Sequence, residues 1–272
     1  MKKLVMLLLM VNALSLAQTK DKFVIGHHRC GFFSCFFGAL NNLMWCHAHK
    51  KEPVMMWDSN SLYYDERDPE CRDNAWLCFF KPVSNYKYAP GDYVHNSYFD
   101  VNGRTWFSIP PCARHRTKIA CAIKKWIRLN EHIQQAVNDF YRTYMHGKKT
   151  VGIHIRRTDK HVERPDVPLE KIFSTANAID TDQYLVATDE MEILQAAQMA
   201  LNKPVIFFPC PRSVDGTPLH YNSECANKTQ SGRDVLIEVI LLSRTDTFIH
   251  TISNVSSAVL CFNPSLKGIE LR

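Results

Sequence analysis

The chain has 272 residues, 46% of them hydrophobic and 22% charged, with no low-complexity tract and no internal repeat. This describes a globular protein with enough material for two modest lobes, and it excludes fibrous, disordered and solenoid architectures. The formal net charge of +6 is mildly basic and no Lys/Arg run exceeds two residues, so an anionic small ligand such as a nucleotide diphosphate suits the charge better than nucleic acid does.

Lys2 and Lys3, the apolar run Leu4 to Val11 and the small-x-small site Ser15-Leu16-Ala17 predict a secretory signal over residues 1–17. The alternative is the apolar N-terminus of a cytosolic protein. The run is too short to span a bilayer, and no later stretch is apolar enough, so no transmembrane anchor is expected. The expected location is outside the cell or in a secretory lumen, or the cytoplasm if residues 1–17 are not a signal. The ten cysteines include no C-x-x-C, which argues against a structural zinc site. They are disulfides in an exported chain and buried thiols in a cytosolic one.

A short strand over Lys22 to Gly26, a turn over His27 to Gly31, a buried helix over Ser34 to Lys50 and a strand over Pro53 to Trp57 form a β-α-β unit. From Ser59 to Pro111 no period holds, which predicts long loops. The aromatics there (Tyr63, Tyr64, Trp76, Tyr86, Tyr88, Tyr93, Tyr98 and Trp106) either pack the loops down or stack on a sugar acceptor. Thr117 to Tyr144 has helical spacing and holds one or two helices, ended by Gly147. The lobe boundary falls here, giving lobes over 18–146 and 147–272.

The second lobe alternates clearly. Strands are predicted at Val151 to Ile155, Tyr184 to Ala187, Pro204 to Phe208 and Thr247 to Ile252. Helices are predicted at Glu190 to Leu201, Asp234 to Leu242 and from Ser256. Short apolar strands between helices imply an α/β fold whose parallel sheet is covered on both faces.

Open α/β sheets bind ligands beyond the carboxyl ends of their strands. Three predicted strands end in polar groups there: Arg156-Arg157-Thr158-Asp159-Lys160, Thr188-Asp189-Glu190 and Ser253-Asn254. The arginine fork suits phosphate. One of the two arginines can grip a diphosphate while the other anchors the loop, for instance through Asp159. Asp189 is either a ribose or base acceptor or the N-cap of the following helix. Ser253 and Asn254 sit where helix N-terminal amides bind phosphate, or they simply cap. Glu238, in an apolar helix, needs a partner such as Arg156 or Arg233, or else faces the cleft.

His154-Ile155-Arg156-Arg157-Thr158-Asp159-Lys160 resembles the H-x-R-R-T-D-K segment of α1,6-fucosyltransferases. Tyr184 to Glu190 is similar to that family's L-A-T-D-D block. Asp234 to Asn254, with Glu238, Leu242-Ser243-Arg244-Thr245-Asp246 and Ser253-Asn254, is similar to its closing block. Cys30 to Cys35 is a weaker echo of its first turn. The resemblance extends to protein O-fucosyltransferases and covers roughly Trp126 to Cys261. It implies two Rossmann-like lobes of the GT-B type, and inverting transfer of fucose from GDP-fucose to a glycan or glycoconjugate hydroxyl, with no metal or other cofactor. In that reading Arg156 stabilises the leaving GDP and Lys160 helps position the acceptor or the phosphate. His154, Arg157, Asp189, Glu190, Glu238, Ser253 and Asn254 hold the donor. The family's basic glutamate lies four residues past the lysine, where this chain has Arg164, so Glu163, one residue earlier, is the candidate base. Alternatives are a transferase using another nucleotide sugar, and a glycan- or nucleotide-binding protein without turnover.

Overall fold

The computed structural model describes residues 21–95, 113–158, 166–217 and 227–272. Among them are two parallel sheets, consecutive in the chain. The first joins β1 (Lys22–Ile25), β2 (Glu52–Met55) and β3 (Val94–His95) in the order β2-β1-β3. Helix α1 (Phe32–Ala48) is the β1-β2 crossover. It is apolar almost all round because it lies between the sheet and neighbouring helices, and Phe32, Phe33, Phe36, Leu40 and Leu43 are fully buried.

The predicted helical stretch is two helices, α2 (Ala113–Trp126) and α3 (Glu131–Phe140), the second extended by a wider turn over Tyr141–Met145. The second sheet holds β4 (Thr150–Ile155), β5 (Gln183–Thr188), β6 (Val205–Ile206), β7 (Thr247–His250) and β8 (Lys267–Glu270) in the order β6-β5-β4-β7-β8, all parallel. Helices α4 (Leu169–Asn177) and α5 (Met191–Ala200) make the first two crossovers, and α6 (Lys228–Leu242) and α7 (Asn254–Phe262) the last two.

Side-chain alternation shows which face each pair covers. Val151, Ile153, Tyr184, Val186 and Ile249 pack with Ile172, Phe173, Ile193 and Leu194 of α4 and α5. Leu185, Ala187 and Phe248 point the other way, into a core with Leu236, Val239 and Leu242 of α6 and Val259 of α7. That second core runs on into the first sheet and α1, so the interior is continuous between the two parts. Every residue of β4 and β5 is buried, as expected for strands covered on both faces.

Three elements were not anticipated. Helix α4 carries the helical spacing Leu169, Ile172, Phe173, Ala176, but only for nine residues. Strand β8 reads Lys-Gly-Ile-Glu and is half exposed at the sheet edge. Strand β3 is only two residues long. Helix α6 begins six residues before the predicted Asp234, because Asn227 caps it by accepting from the Gln230 amide. Strand β7 stops at His250, two residues short of its predicted end.

Of the loop aromatics, Tyr63 and Trp76 are core residues, whereas Tyr86, Tyr88 and Tyr93 are exposed; Tyr98 and Trp106 lie outside the described residues. Cys71 and Cys78 form a disulfide, and among the described residues six further cysteines, including Cys30, Cys35 and Cys210, are free thiols. The predicted signal, residues 1–17, lies outside the described residues. Among those described, no helix is long and apolar enough to cross a membrane.

Candidate functional site

The strand order reverses direction between β4 and β7. The carboxyl ends of the strands at such a reversal are where open α/β sheets bind ligands. A cavity of about 450 Å³ occurs at this point, within the range of small-molecule sites. Arg156, Arg157, Asp166, Thr251, Ile252 and Arg272 are among its lining residues. The two arginines come from the exit of β4, and Thr251 and Ile252 lead from β7 into α7.

The adjacent arginines are used differently. Arg157 Nη1 donates to Asp166 Oδ2 at 2.9 Å and its Nη2 to the Val167 carbonyl at 2.6 Å. This braces the chain entering α4. Arg157 is the loop anchor of the pair, acting through Asp166; Asp159 lies outside the described residues, as do Lys160 and Glu163. Arg156 lies beside the Asp189 carboxylate, with Nε 4.0 Å from Oδ2, and is only partly buried. Its guanidinium belongs to the cavity lining.

Asp189 does not cap α5. Its Oδ1 accepts from the Arg157 amide at 3.1 Å, and its Oδ2 accepts from the Thr158 hydroxyl at 2.6 Å and more distantly from the Thr158 amide. The carboxylate ties the exits of β4 and β5 together. The N-cap of α5 is Glu190, with no side-chain capping bond. Burial, helped by the Asp189 charge, raises the Glu190 carboxyl above the usual range.

On the opposite face of β4, His154 Nδ1 lies 3.2 Å from Ser256 Oγ. Ser256 Oγ donates to the Thr251 carbonyl at 2.8 Å, and Ser253 Oγ accepts from the Ser256 amide at 3.0 Å. Ser253 is thus the N-cap of α7, and His154 is tied to the start of that helix. Asn254 is the first residue of α7, and its carboxamide oxygen is buried without a partner among the described residues.

Glu238 pairs with neither Arg156 nor Arg233. Its Oε1 accepts from Arg212 Nη2 at 3.1 Å and from the Cys210 thiol at 3.5 Å. Arg233 instead binds Asp68 and Glu70. Arg212, on the loop leaving β6, is the site residue that sequence reasoning missed. It lies 26 positions from Glu238 in a segment with no periodic pattern. The available signal was the carboxyl-end rule itself, which β6 obeys like its neighbours. Burial pushes the Glu238 carboxyl up to about 7 despite the opposing charge of Arg212.

The fold has counterparts among solved structures. The α-1,6-fucosyltransferase NodZ from Bradyrhizobium superposes with a TM-score of 0.59 at 18% sequence identity, over 93% of this chain and 96% of that one; NodZ has been co-crystallised with GDP. POFUT1 in complex with GDP-fucose superposes with a TM-score of 0.55 at 10% identity, over 94% of this chain and 99% of that one. The chain shares the fold of these two proteins. At these identities the likeness is one of architecture, and it spans both sheets. No family model matches the chain, and no curated protein matches it by sequence.

Proposed function

We propose that the protein is an inverting fucosyltransferase that takes fucose from GDP-fucose and delivers it to a hydroxyl of a glycan or glycoconjugate. The observation that carries this reading is the position of Arg156. It lies at the strand-order reversal, on the wall of a cavity that Thr251 and Ile252 also line, in a fold whose solved relatives were crystallised with GDP or GDP-fucose.

In the reaction, the acceptor oxygen forms a bond to the anomeric carbon, the bond from that carbon to the β-phosphate oxygen breaks, and the acceptor proton passes to a base. Charge grows on the departing diphosphate. Arg156 and the N-terminal amides of α7 are the groups that meet it, an electrostatic role requiring no metal. His154 and Asp189 keep the strand exits in register around the donor. Glu238 supplies an acceptor for its base. Glu163 is the candidate base and Lys160 helps position the acceptor or the phosphate, by the resemblance of their segment to the family's. The one-residue offset of Glu163 from the family position favours a second reading, nucleotide-sugar binding without turnover.

Calorimetric titration of the full chain with GDP, GDP-fucose, GDP-mannose and UDP-sugars tests the proposal. Selective guanine-nucleotide binding is expected. Arg156→Ala should lower that affinity by on the order of 100-fold, the effect of removing two charge-assisted hydrogen bonds. Folded protein that binds none of these nucleotides overturns the donor assignment. Metal independence belongs to the same proposal and is checked by repeating transfer in chelator. Binding without fucose release to any hydroxyl, water included, leaves the second reading standing.

A further inference from the structure

Helix α2 carries a face that the donor site does not use. Between Asp100 and Glu131 the chain has no acidic residue, and α2 lies wholly inside that interval. Ile119, Ala122 and Ile123 turn inward, where α2 packs on α1 and α7. At about 100° per residue, Lys118, Cys121, Lys124 and Lys125 fall together on the opposite side, and all four are exposed. Arg128, just past the helix, is exposed too and donates from Nη1 to the Lys124 carbonyl at 2.7 Å. Lys125 Nζ lies 2.9 Å from His47 Nδ1 and 4.7 Å from the centre of the Trp126 ring, so the exposed end of α1 adjoins the same face.

The charge on this face is uncompensated. Among the described residues Lys118, Lys124, Lys125 and Arg128 have no carboxylate partner. Other surface lysines do: Lys22 pairs with Asp92, Lys51 with Asp21, Lys81 with Glu131 and Lys149 with Asp180. Four neighbouring cations repel one another, and an anionic surface laid against them removes that repulsion.

We propose that this face docks the protein on an anionic phospholipid membrane, with α2 lying in the plane of the headgroups. Three of its four cations are lysines, whose compact charge accepts a phosphate oxygen from any direction and so suits a fluid array of headgroups. The face is the outer side of one helix, the form in which a basic helix lies on a bilayer. Half-buried Trp126, beside Lys125, supplies an aromatic ring of the kind that settles at headgroup depth. None of these residues lines the donor cavity, so the proposal stands apart from the GDP-sugar reading.

The test is co-sedimentation of the full chain with vesicles of phosphatidylcholine alone, or of an equal mixture of phosphatidylcholine and phosphatidylglycerol. Binding to the mixed vesicles is expected, weakening steeply as sodium chloride is raised. Lys118→Gln with Lys124→Gln should lower the partition coefficient about 30-fold, roughly fivefold for each charge removed. Lys203→Gln with Lys267→Gln removes the same charge from exposed positions beside β6 and on β8, and should change it less than about twofold. Alkylation of Cys121 by N-ethylmaleimide, followed at its own peptide by mass spectrometry, locates the contact. It should slow several-fold when mixed vesicles are present.

Equal loss in both double variants would show that net charge, and not this face, attracts the vesicles. Binding to both vesicle types that neither double variant alters would belong to the apolar run Leu4 to Val11. Binding that leaves Cys121 fully reactive would lie elsewhere on the surface. A chain that ignores the mixed vesicles but is retained on immobilised heparin or duplex DNA has its basic face matched to a soluble polyanion. Each of these results overturns the proposal, as does a failure to bind anything. Circular dichroism establishes that the variants fold; if the first does not, protection of Cys121 in the natural chain decides by itself.

Discussion

Arg156 and Arg157 show how one bond along a strand exit separates two functions. Alternation sends one guanidinium to Asp166 and the Val167 carbonyl and leaves the other beside Asp189 at the cavity. That two such residues have different tasks was legible from the doubling itself, since a structural anchor needs only one. Which arginine does which depends on how the chain enters α4, and that is decided in three dimensions. His28 is a residue whose chemistry only the fold reveals. Its Nε2 lies 3.2 Å from Ser34 Oγ, and burial, with the neighbouring His27 second, lowers its pKa from 6.5 to about 4. The sign follows directly. The unfolded chain takes up a proton as pH falls through about 6.5, and the folded chain does not until about 4. The stabilising effect of a neutral His28 is therefore complete above that window and lost as pH falls through it. The ring is partly exposed, so solvent screening reduces the effect to about 1 kcal/mol. His28→Gln should flatten the slope of unfolding free energy between about pH 7 and pH 5 by that amount in urea titrations. An unchanged slope would mean that the imidazole is solvated in the folded state.

At the scale of elements, legibility followed burial. β4, β5 and the start of β7 announced themselves because strands covered on both faces become continuous apolar runs. β8 was silent because an edge strand needs no apolar face, and its pairing to β7 is made by backbone groups that any sequence supplies. The pairing of Glu238 with Arg212 was invisible for the same kind of reason: a buried carboxylate demands a cation, but its identity is set by where the β6 loop returns. Gly152 shows what the sheet requires of β4. A Cβ there would meet Thr245 Oγ1 at 2.9 Å and Leu242 Cδ2 at 3.0 Å. Thr245 is 5% exposed, and its hydroxyl donates to the Leu242 carbonyl at 2.8 Å, so it cannot swing aside freely. Gly152→Ala should cost about 1–3 kcal/mol by overpacking. Adding Thr245→Ala clears the Thr245 contacts, so the glycine substitution should cost less in that background than in the natural chain. A double-mutant cycle by chemical denaturation reads this coupling, and strict additivity would show that β4 moves away from α6 without resistance.

For the whole molecule, the two sheets are consecutive in sequence but do not have separate interiors. One hydrophobic cluster runs from Phe23 and α1 through α3 to Leu236, Val239 and Val259. Helix α6 is the shared element. Its C-terminal half covers the second sheet, and its N-terminal half meets the segment before α2: Gly232 sits so close to Phe79 that a Cβ would come within 2.7 Å of the ring, and Arg233 binds Asp68 at 2.7 Å and Glu70 at 2.9 Å. Chains of this length often unfold in stages, but a shared core makes each part depend on the other. The tryptophans allow this to be measured. All five (Trp45, Trp57, Trp76, Trp106 and Trp126) precede β4, so fluorescence reports the first part while far-ultraviolet circular dichroism reports both. Coincident midpoints are expected. Arg233→Met leaves Asp68, whose side chain is 8% exposed, as a charge without its partner, at a cost of about 3 kcal/mol. Because α6 belongs to both parts, the two signals should shift together. A shift in fluorescence alone would show that the ion pair stabilises only the first part, and that the second sheet folds without it.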